Sequence, residues 1–442
     1  MHIKNLSFRN FRGIRYLNLD FEERKNILFV GENGAGKSTI LDGVNILLSW
    51  LTARIKSPNG NGHSLSQSDI TVGENSTLIQ ITITYKELEA TWSLARTRFG
   101  QKKEFSSNLT GIRTIAQAIQ ESMNSNDEES IPVICHYGVH RAVFDPPLRI
   151  RQKHSFDQLD IFDEEQSEFR LFFEWFRNRE DIENEEKYEN LISFLKSINS
   201  DNINSILHQP ELIESYDLPH YQDHQLKAVR TAIYAFLPGY TDLRIRRRPQ
   251  MRMVIKKDDS ELEISQLSDG EKCLIAMIGD LARRLAMANP ISIDPLKRTG
   301  IVLIDEIDLH LHPNWQRRVL PSLKKAFPNI LFILTTHSPQ VLSETTDSLI
   351  FLLSNTDSHI EASILPPLFG KDSNKILADF MNSSERNIEV KSKIERLYTL
   401  ISEGVWEEVT RLKTELKNIL GPGDPDLVYA EALEQRKRVI KR

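Results

Sequence analysis

Apolar runs, and the period at which polar residues interrupt them, cut this chain into buried strands, half-buried hairpins and amphipathic helices. Residues 27–30 (ILFV) are apolar without a break, the pattern of a strand covered on both faces. Residues 40–50 repeat apolar positions at helical spacing and predict a helix a short interval later. Residues 78–85 (LIQITITY) and 90–98 alternate apolar with polar, which predicts a hairpin of half-buried strands. Residues 1–20 alternate in the same way, as one or two strands around a turn at Arg12-Gly13. Further buried strands are predicted at 131–135 (IPVIC), 301–306 (IVLIDE, ending in two acids) and 330–335 (ILFILT). Residues 56–68 (KSPNGNGHSLSQS) read as a loop.

Residues 156–198 change character and are dense in acidic and aromatic residues. Phe169, Phe172, Phe173 and Phe176 line one face of a charged helix. They predict a helical insertion at about 155–225 that lays its stripe on the core; a partner-facing surface is the sharper alternative. A short helix at 226–236, stopped by Pro238-Gly239, leads into strands at 243–248 and 251–257. From Leu243 to Lys257 there are five arginines, two lysines and no acid. Such a stripe is a candidate nucleic-acid backbone contact, or else the solvated face of a hairpin. Past Ser373 the chain is helical and charged, with segments near 386–403 and 405–419 parted by Gly404 and a last helix from Asp424. The expected division is a head over residues 1–380 and a helical extension over 381–442.

The interval between the first buried strand and its helix carries the chemistry. Gly31, Glu32, Asn33, Gly34, Ala35, Gly36, Lys37, Ser38 and Thr39 (GENGAGKST) have the spacing of a phosphate-cradling loop, in the strand-to-helix context it needs. The glycines let backbone N–H groups turn toward a polyphosphate, and the helix N-terminus adds partial positive charge. Lys37 is placed for the β- and γ-phosphates and Ser38 for Mg²⁺. A plain glycine turn is the simpler alternative. Arg9, upstream on the first strand, is a candidate contact to a nucleotide's phosphates or base, or else part of a solvated strand edge.

Other segments supply what such a loop lacks. Asp305 is placed to hold the Mg²⁺ hydration shell opposite Ser38, and Glu306 to polarise water for attack on a γ-phosphate. Residues 330–335 deliver Thr336, His337 and Ser338 to the strand ends where ligands bind in such sheets, so His337 is a candidate γ-phosphate sensor. Ser268, Asp269, Gly270 and Glu271, within LSDGEK ahead of an apolar helix at 273–285, form a second anion site. One protomer has no use for two helix ends on one γ-phosphate, so the second is expected to serve a partner's nucleotide.

Composition narrows the setting. The chain has 442 residues, enough for two or three domains, with 40% hydrophobic and 27% charged residues as in an ordinary globular protein. A net charge of −6 rules out an all-over basic coat for nucleic acid but leaves room for a local basic face. Cys135 and Cys273 fit no metal spacing and predict buried thiols in a reducing compartment. The first residues lack the apolar core of a secretory signal, and no run reaches the length of a membrane span. A cytoplasmic setting is therefore expected, with no membrane partner.

In order along the chain, GENGAGKST, LSDGEK, IVLIDE, the Asp308 of IDLHLHP, and TTHSP resemble the ABC-type ATPase heads of the RecF and SMC class. There they stand for Walker A, signature, Walker B, D-loop and switch histidine. The resemblance covers residues 1–353 with gaps. It implies an α/β fold of the P-loop NTPase class, with a mixed central sheet, an antiparallel β subdomain, a helical lobe and a C-terminal helical extension. It also implies ATP and Mg²⁺ as ligands, hydrolysis to ADP and phosphate, and a homodimer or higher homo-oligomer with nucleotide sandwiched between copies. Such heads usually place a glutamine after an early strand to couple metal to the helical lobe. Residues 133–141 (VICHYGVHR) hold none, which leaves His136, Tyr137, Gln67 and Gln152 as open alternatives.

The compact head without a coiled coil, the FFEWFRNREDIENEE insertion, EIDLHLHP and DSNKIL are similar to stand-alone ATPases of prokaryotic defence operons, the PtuA subunits of Septu anti-phage systems, also found beside some retrons. That likeness implies a regulatory ATPase with no nuclease activity of its own, partnered by a separate HNH nuclease of the PtuB kind. A RecF-type DNA-repair ATPase is the second reading. A self-contained OLD-type ATPase-nuclease is the third. It needs a late metal-binding domain, and the late Asp-x-Asp, Asp424 and Asp426, is more simply a helix cap.

Overall fold

The computed structural model describes the chain apart from residues 22–23, 25, 125–130, 140–155, 163–168, 198–220, 357–358, 382–385 and 441–442. It divides into two compact units, Met1–Gly370 and Lys371–Arg442. In chain order the strands are β1 (His2–Phe11), β2 (Ile14–Asp20), β3 (Asn26–Gly31), β4 (Ser76–Tyr85), β5 (Leu88–Thr97), β6 (Val133–Tyr137), β7 (Tyr240–Arg246), β8 (Arg252–Lys257), β9 (Ser260–Glu263), β10 (Gly300–Ile304), β11 (Ile330–Thr335), β12 (Ser348–Thr356) and β13 (His359–Ile364). The helices of the first unit are α1 (Lys37–Lys56), α2 (Thr110–Asn124), α3 (Phe169–Ser197), α4 (His224–Phe236), α5 (Asp269–Ala288), α6 (Pro313–Ala326) and α7 (Pro339–Ser343).

A six-stranded sheet in the order β13-β12-β3-β11-β10-β6 forms the centre. Its strands run parallel except for β13, which joins the edge antiparallel to β12. β3, β10 and β11 are buried at every position, which is why they read as unbroken apolar runs. An antiparallel sheet, β2-β1-β4-β5, packs on α1; β2 exposes every side chain that points away from the core, while β4 at its centre exposes none. Two contacts fix that packing: the Trp92 indole donates to the Leu47 carbonyl at 3.0 Å, and Gly43 lies so close to Phe8 that a Cβ would stand 2.4 Å from its ring. β7, β8 and β9 make a third, small antiparallel sheet.

The phenylalanine stripe of α3 faces inward, as its spacing predicts, with Phe169, Phe172, Phe173 and Phe176 all buried. Phe172 seats on α5 at Gly279, where a Cβ would stand 2.7 Å from the ring. Charged contacts add to this seat. Arg230 of α4 reaches Glu180 at 3.3 Å and Glu183 at 3.0 Å, and the Ile245 N–H of β7 donates to Glu180 at 3.1 Å. Part of the predicted insertion, residues 198–220, lies outside the described residues, as do Arg141 and Gln152.

The second unit contains α8 (Ser373–Phe380), α9 (Ile388–Glu403), α10 (Trp406–Leu420) and α11 (Pro425–Ile440). It has its own core of Ile394, Leu397, Leu400, Ile401, Val409, Leu416, Leu427 and Ala430. Gly404 ends α9 in the left-handed conformation that a helix stop favours. Arg386 holds Asp424 at 2.9 Å and Asp426 at 2.8 Å, and Asp424 accepts the Asp426 N–H at 3.1 Å. These two acids are thus engaged as an ion pair and a cap. Among the described residues no His, Cys, Asp and Glu cluster is arranged to hold a metal, and no helix is long and apolar enough to cross a membrane.

Candidate functional site

The loop after β3 leaves the start of α1 open. Gly31 has φ 153°, and a Cβ there would stand 2.3 Å from the Leu353 carbonyl oxygen, so the strand can end here only with glycine. Gly36, left-handed at φ 94°, is itself the N-cap, and no side chain caps the helix. The first-turn N–H groups of Lys37, Ser38 and Thr39 therefore face outward as an anion site. Lys37 is buried, and its Nζ donates to the carbonyls of Gly31 and Glu32 at 2.9 Å each. Burial lowers its pKa, while Glu306, Asp305 and Asp308 act in the opposite direction.

Those three acids arrive from β10, which lies two places from β3 with β11 between them. At the usual strand spacing the two ends are roughly 10 Å apart. The end of β11 fills the interval and holds the acids in place. Thr335 Oγ1 donates to Asp305 Oδ1 at 2.5 Å and accepts the Glu306 N–H at 2.6 Å. Glu306 has φ 47°, a left-handed backbone that costs a non-glycine residue about 1–3 kcal/mol. Thr336 Oγ1 donates to Asp308 Oδ1 at 2.5 Å, and the His337 N–H reaches the same oxygen at 3.3 Å. Burial and then Lys37 lower the His337 pKa against the pull of Asp308, Glu306 and Asp305, which favours the neutral imidazole. Lys37, Asp305, Glu306, Asp308 and His337 thus converge within electrostatic range of one another, at the open end of α1 that also carries Ser38 and Thr39.

Ser268, Asp269, Gly270 and Glu271 stand in a different cluster. Ser268 caps α5 in a full capping box: its N–H and Oγ donate to Glu271 Oε2 at 3.0 and 2.7 Å, and its Oγ accepts the Glu271 N–H at 3.4 Å. The Tyr240 hydroxyl donates to the other Glu271 oxygen at 2.6 Å, and the Lys257 ammonium lies 3.8 Å from it. Burial opposes the charge of Glu271, but the hydrogen bonds of Tyr240 and Ser268, with Lys257, outweigh it and hold the carboxyl below its usual pKa. Gly270 sits under the His310 carbonyl, where a Cβ would approach to 2.7 Å. Asp269 is exposed.

Arg9 is exposed and lies 5.7 Å over the Tyr16 ring. Its neighbour Arg12 is the one tied to α1, through Asp42 at 2.6 Å, and it also holds Asp69 at 2.9 Å. The basic stripe is largely matched by acids from other elements. Arg244 and Arg246 each pair with Glu261 at 2.6 Å, Arg252 pairs with Glu263, Arg247 with Glu180 at 3.2 Å, and Lys256 with Asp242 at 3.6 Å. Sequence reasoning passed over Thr335 and Thr336 as functional groups, although their place directly before His337 signalled a short polar step out of a buried strand.

The family model described as "AAA domain, putative AbiEii toxin, Type IV TA system" matches residues 27–343. The chain is 33% identical to "Retron Ec83 probable ATPase" of Escherichia coli, over 99% of this chain and 87% of that protein. It is 25% identical to "Septu protein PtuA" of Bacillus mycoides, over 94% of this chain and 50% of that protein. The match to "DNA replication and repair protein RecF" of Leptospira interrogans is 44% identical but spans 61 residues, 14% of this chain and 16% of that protein.

Proposed function

This chain belongs to the AAA-domain family of the retron ATPases, and from that premise we propose that it is an ABC-type ATPase head that binds and hydrolyses ATP as the regulatory subunit of an anti-phage nuclease complex. The observation that carries the reading is the convergence of Lys37 with Asp305, Glu306, Asp308 and His337 at an uncapped helix end. The Lys37 ammonium leaves the two loop carbonyls for the β- and γ-phosphates, while the α1 N–H groups hold the same oxygens. Ser38 and Asp305 would hold Mg²⁺, which would supply charge neutralisation at those phosphates; the side chain of Asp305 is already oriented by Thr335. Glu306 takes a proton from the water that attacks the γ-phosphorus as the bond to the β-bridging oxygen breaks. Neutral His337 donates a hydrogen bond to the γ-phosphate.

In this reading two copies meet across the nucleotide about a two-fold axis, with Ser268 and Gly270 of one facing the γ-phosphate held by Lys37 of the other, an isologous contact with two equivalent sites. The nuclease is a separate HNH subunit, and ATP-driven closure of the heads controls its access to nucleic acid. The seat of Phe172 on Gly279 supports such coupling, because it joins α3 to the helix whose end would meet the phosphate. Nucleic acid binding by β7 and β8 has less support, since much of that stripe already carries carboxylate partners. The match behind the RecF-type alternative spans only 61 residues of this chain.

The test is to purify the chain with its operon neighbour and assay cleavage with and without ATP. Nucleotide-dependent cleavage by the pair, and none by the chain alone, is expected. Cleavage by the chain alone overturns the division of labour. A hydrolysing species that stays monomeric in the ultracentrifuge, with Ser268→Arg harmless, overturns the shared site.

A further inference from the structure

A column of hydrogen bonds runs from the acidic strand to the signature helix through one tyrosine. The Asp305 N–H donates to the Tyr137 carbonyl at 2.9 Å, and the phenol of Tyr137 donates to Asp280 Oδ2 at 2.9 Å. Tyr137 ends β6, and Asp280 stands on α5 about three turns beyond Ser268. Both side chains are buried, at 1% and 2% exposure.

Asp280 is a charged hub. Arg283 donates to Oδ1 at 3.1 and 2.6 Å, and Arg284 donates to Oδ2 at 2.7 Å and to the Ile161 carbonyl at 2.5 Å. Burial works against its charge, but the two guanidiniums prevail and hold the carboxyl below the usual carboxylate range. Burial, then Asp280, pushes the Tyr137 phenol well above its usual pKa, so it stays a hydrogen-bond donor. A buried network with every member engaged favours one arrangement over its neighbours, and losing one member is costly.

Beside this hub the packing opens. A cavity of 210 Å³ is lined by Ser49 and Thr52 of α1, Cys135 and Tyr137 of β6, and Arg284 of α5. The phosphate-loop helix, the sheet and the signature helix do not close on one another there. A well-packed interior would resist a shift of α5 against α1, and this gap removes that resistance.

We infer that Tyr137 is a positioning residue for hydrolysis: it joins the backbone of Asp305 to the signature helix, so that the acids around the nucleotide and the position of Ser268 change together. This rests on the ATPase reading above and assigns its internal coupling to a Tyr–Asp pair.

The test compares wild type with Tyr137→Phe, which keeps the ring and removes only the donor. Three readouts are taken on the full chain: fluorescent-nucleotide affinity, kcat, and hydrogen exchange across residues 269–288 with and without ATP. The expected result is affinity within about twofold of wild type, kcat lower by about tenfold or more (the size of one hydrogen bond to a charged group), and loss of the ATP-induced protection in α5. A purely structural tyrosine would lower the melting temperature while leaving kcat and the exchange response intact, and that result overturns the inference. Should the variant fail to fold, hydrogen exchange on wild type decides: residues 133–137 and 269–288 must respond at the same ATP concentration, and separate midpoints overturn the coupling. A wild-type chain that neither binds nor hydrolyses ATP overturns the ATPase reading as well. Wild-type turnover beside an equally active Tyr137→Phe overturns this inference alone.

Discussion

The two helix ends that sequence marks as anion sites are built in opposite ways. At α1 the N-cap is a left-handed glycine with no side chain to offer, so the first-turn N–H groups stand open, and the nearby cation rests on two backbone carbonyls. At α5 the N-cap is Ser268, and the Glu271 carboxylate already occupies the place of an anion. One end can take a phosphate by moving a single lysine. The other must first loosen a capping box that Tyr240 and Lys257 help to hold. Under the proposed function this difference sets an order of events to be tested: α1 would fill alone, and α5 would engage only when a bound nucleotide competes with Glu271 for the Ser268 hydroxyl.

Four substitutions break or sharpen this contrast. Glu306→Gln should lower turnover by roughly 10³-fold with affinity kept, because only the proton acceptor is lost. It should also accumulate the species in which the α5 end has opened, detected as altered hydrogen exchange at 268–271; normal turnover would show that Glu306 is not the base. Lys37→Ala should weaken nucleotide binding by roughly 100-fold or more in a fluorescent-nucleotide titration, as expected for loss of a buried cation facing phosphate. Binding that survives would mean that the open end is not the phosphate site. Ser268→Ala should leave affinity for the single chain unchanged and slow turnover by about tenfold. Equal loss of both would place Ser268 in the first binding step and erase the order of events.

The smallest effect measures the closure itself. Glu271→Gln keeps a capping-box residue but not its charge, and should lower the melting temperature by roughly a degree or two near pH 7. Because the folded-state pKa of Glu271 is depressed, its contribution is present above the usual value of 4.5 and is lost as pH falls through the lower folded value. The gap between variant and wild type should therefore close in acid. A gap that persists at low pH would mean that the charge of Glu271 does not hold the cap.

What was legible from sequence is what lies within one element and its next turn. The phosphate loop, the acid pair after an apolar strand and the inward stripe of α3 each show their role in a dozen residues or fewer. β12 and β13, whose edge completes the central sheet, went unpredicted, as did β9 and the helices α2 and α6. The basic stripe appeared unpaired because its partners lie elsewhere: Glu261 and Glu263 on β9, and Glu180 far upstream on α3. Tyr137 stood among four alternatives for the coupling residue, and its link to Asp280 crosses 143 positions of sequence. No local pattern encodes such a pair; only the fold brings it together.

In the proposed closure the seat of Phe172 on Gly279 would make α5 a lever. Gly279 lies about 11 residues from the signature serine, or ~16 Å along the helix axis. A tilt of about 10° around the phosphate end would carry that notch, and the aromatic edge lodged in it, through roughly 3 Å. With no Cβ at the notch, the ring sits against helix backbone, leaving no flexible side chain between them to absorb the stroke. A tilt at the nucleotide end would therefore reach α3 as a displacement of Phe172 set by the length of that arm.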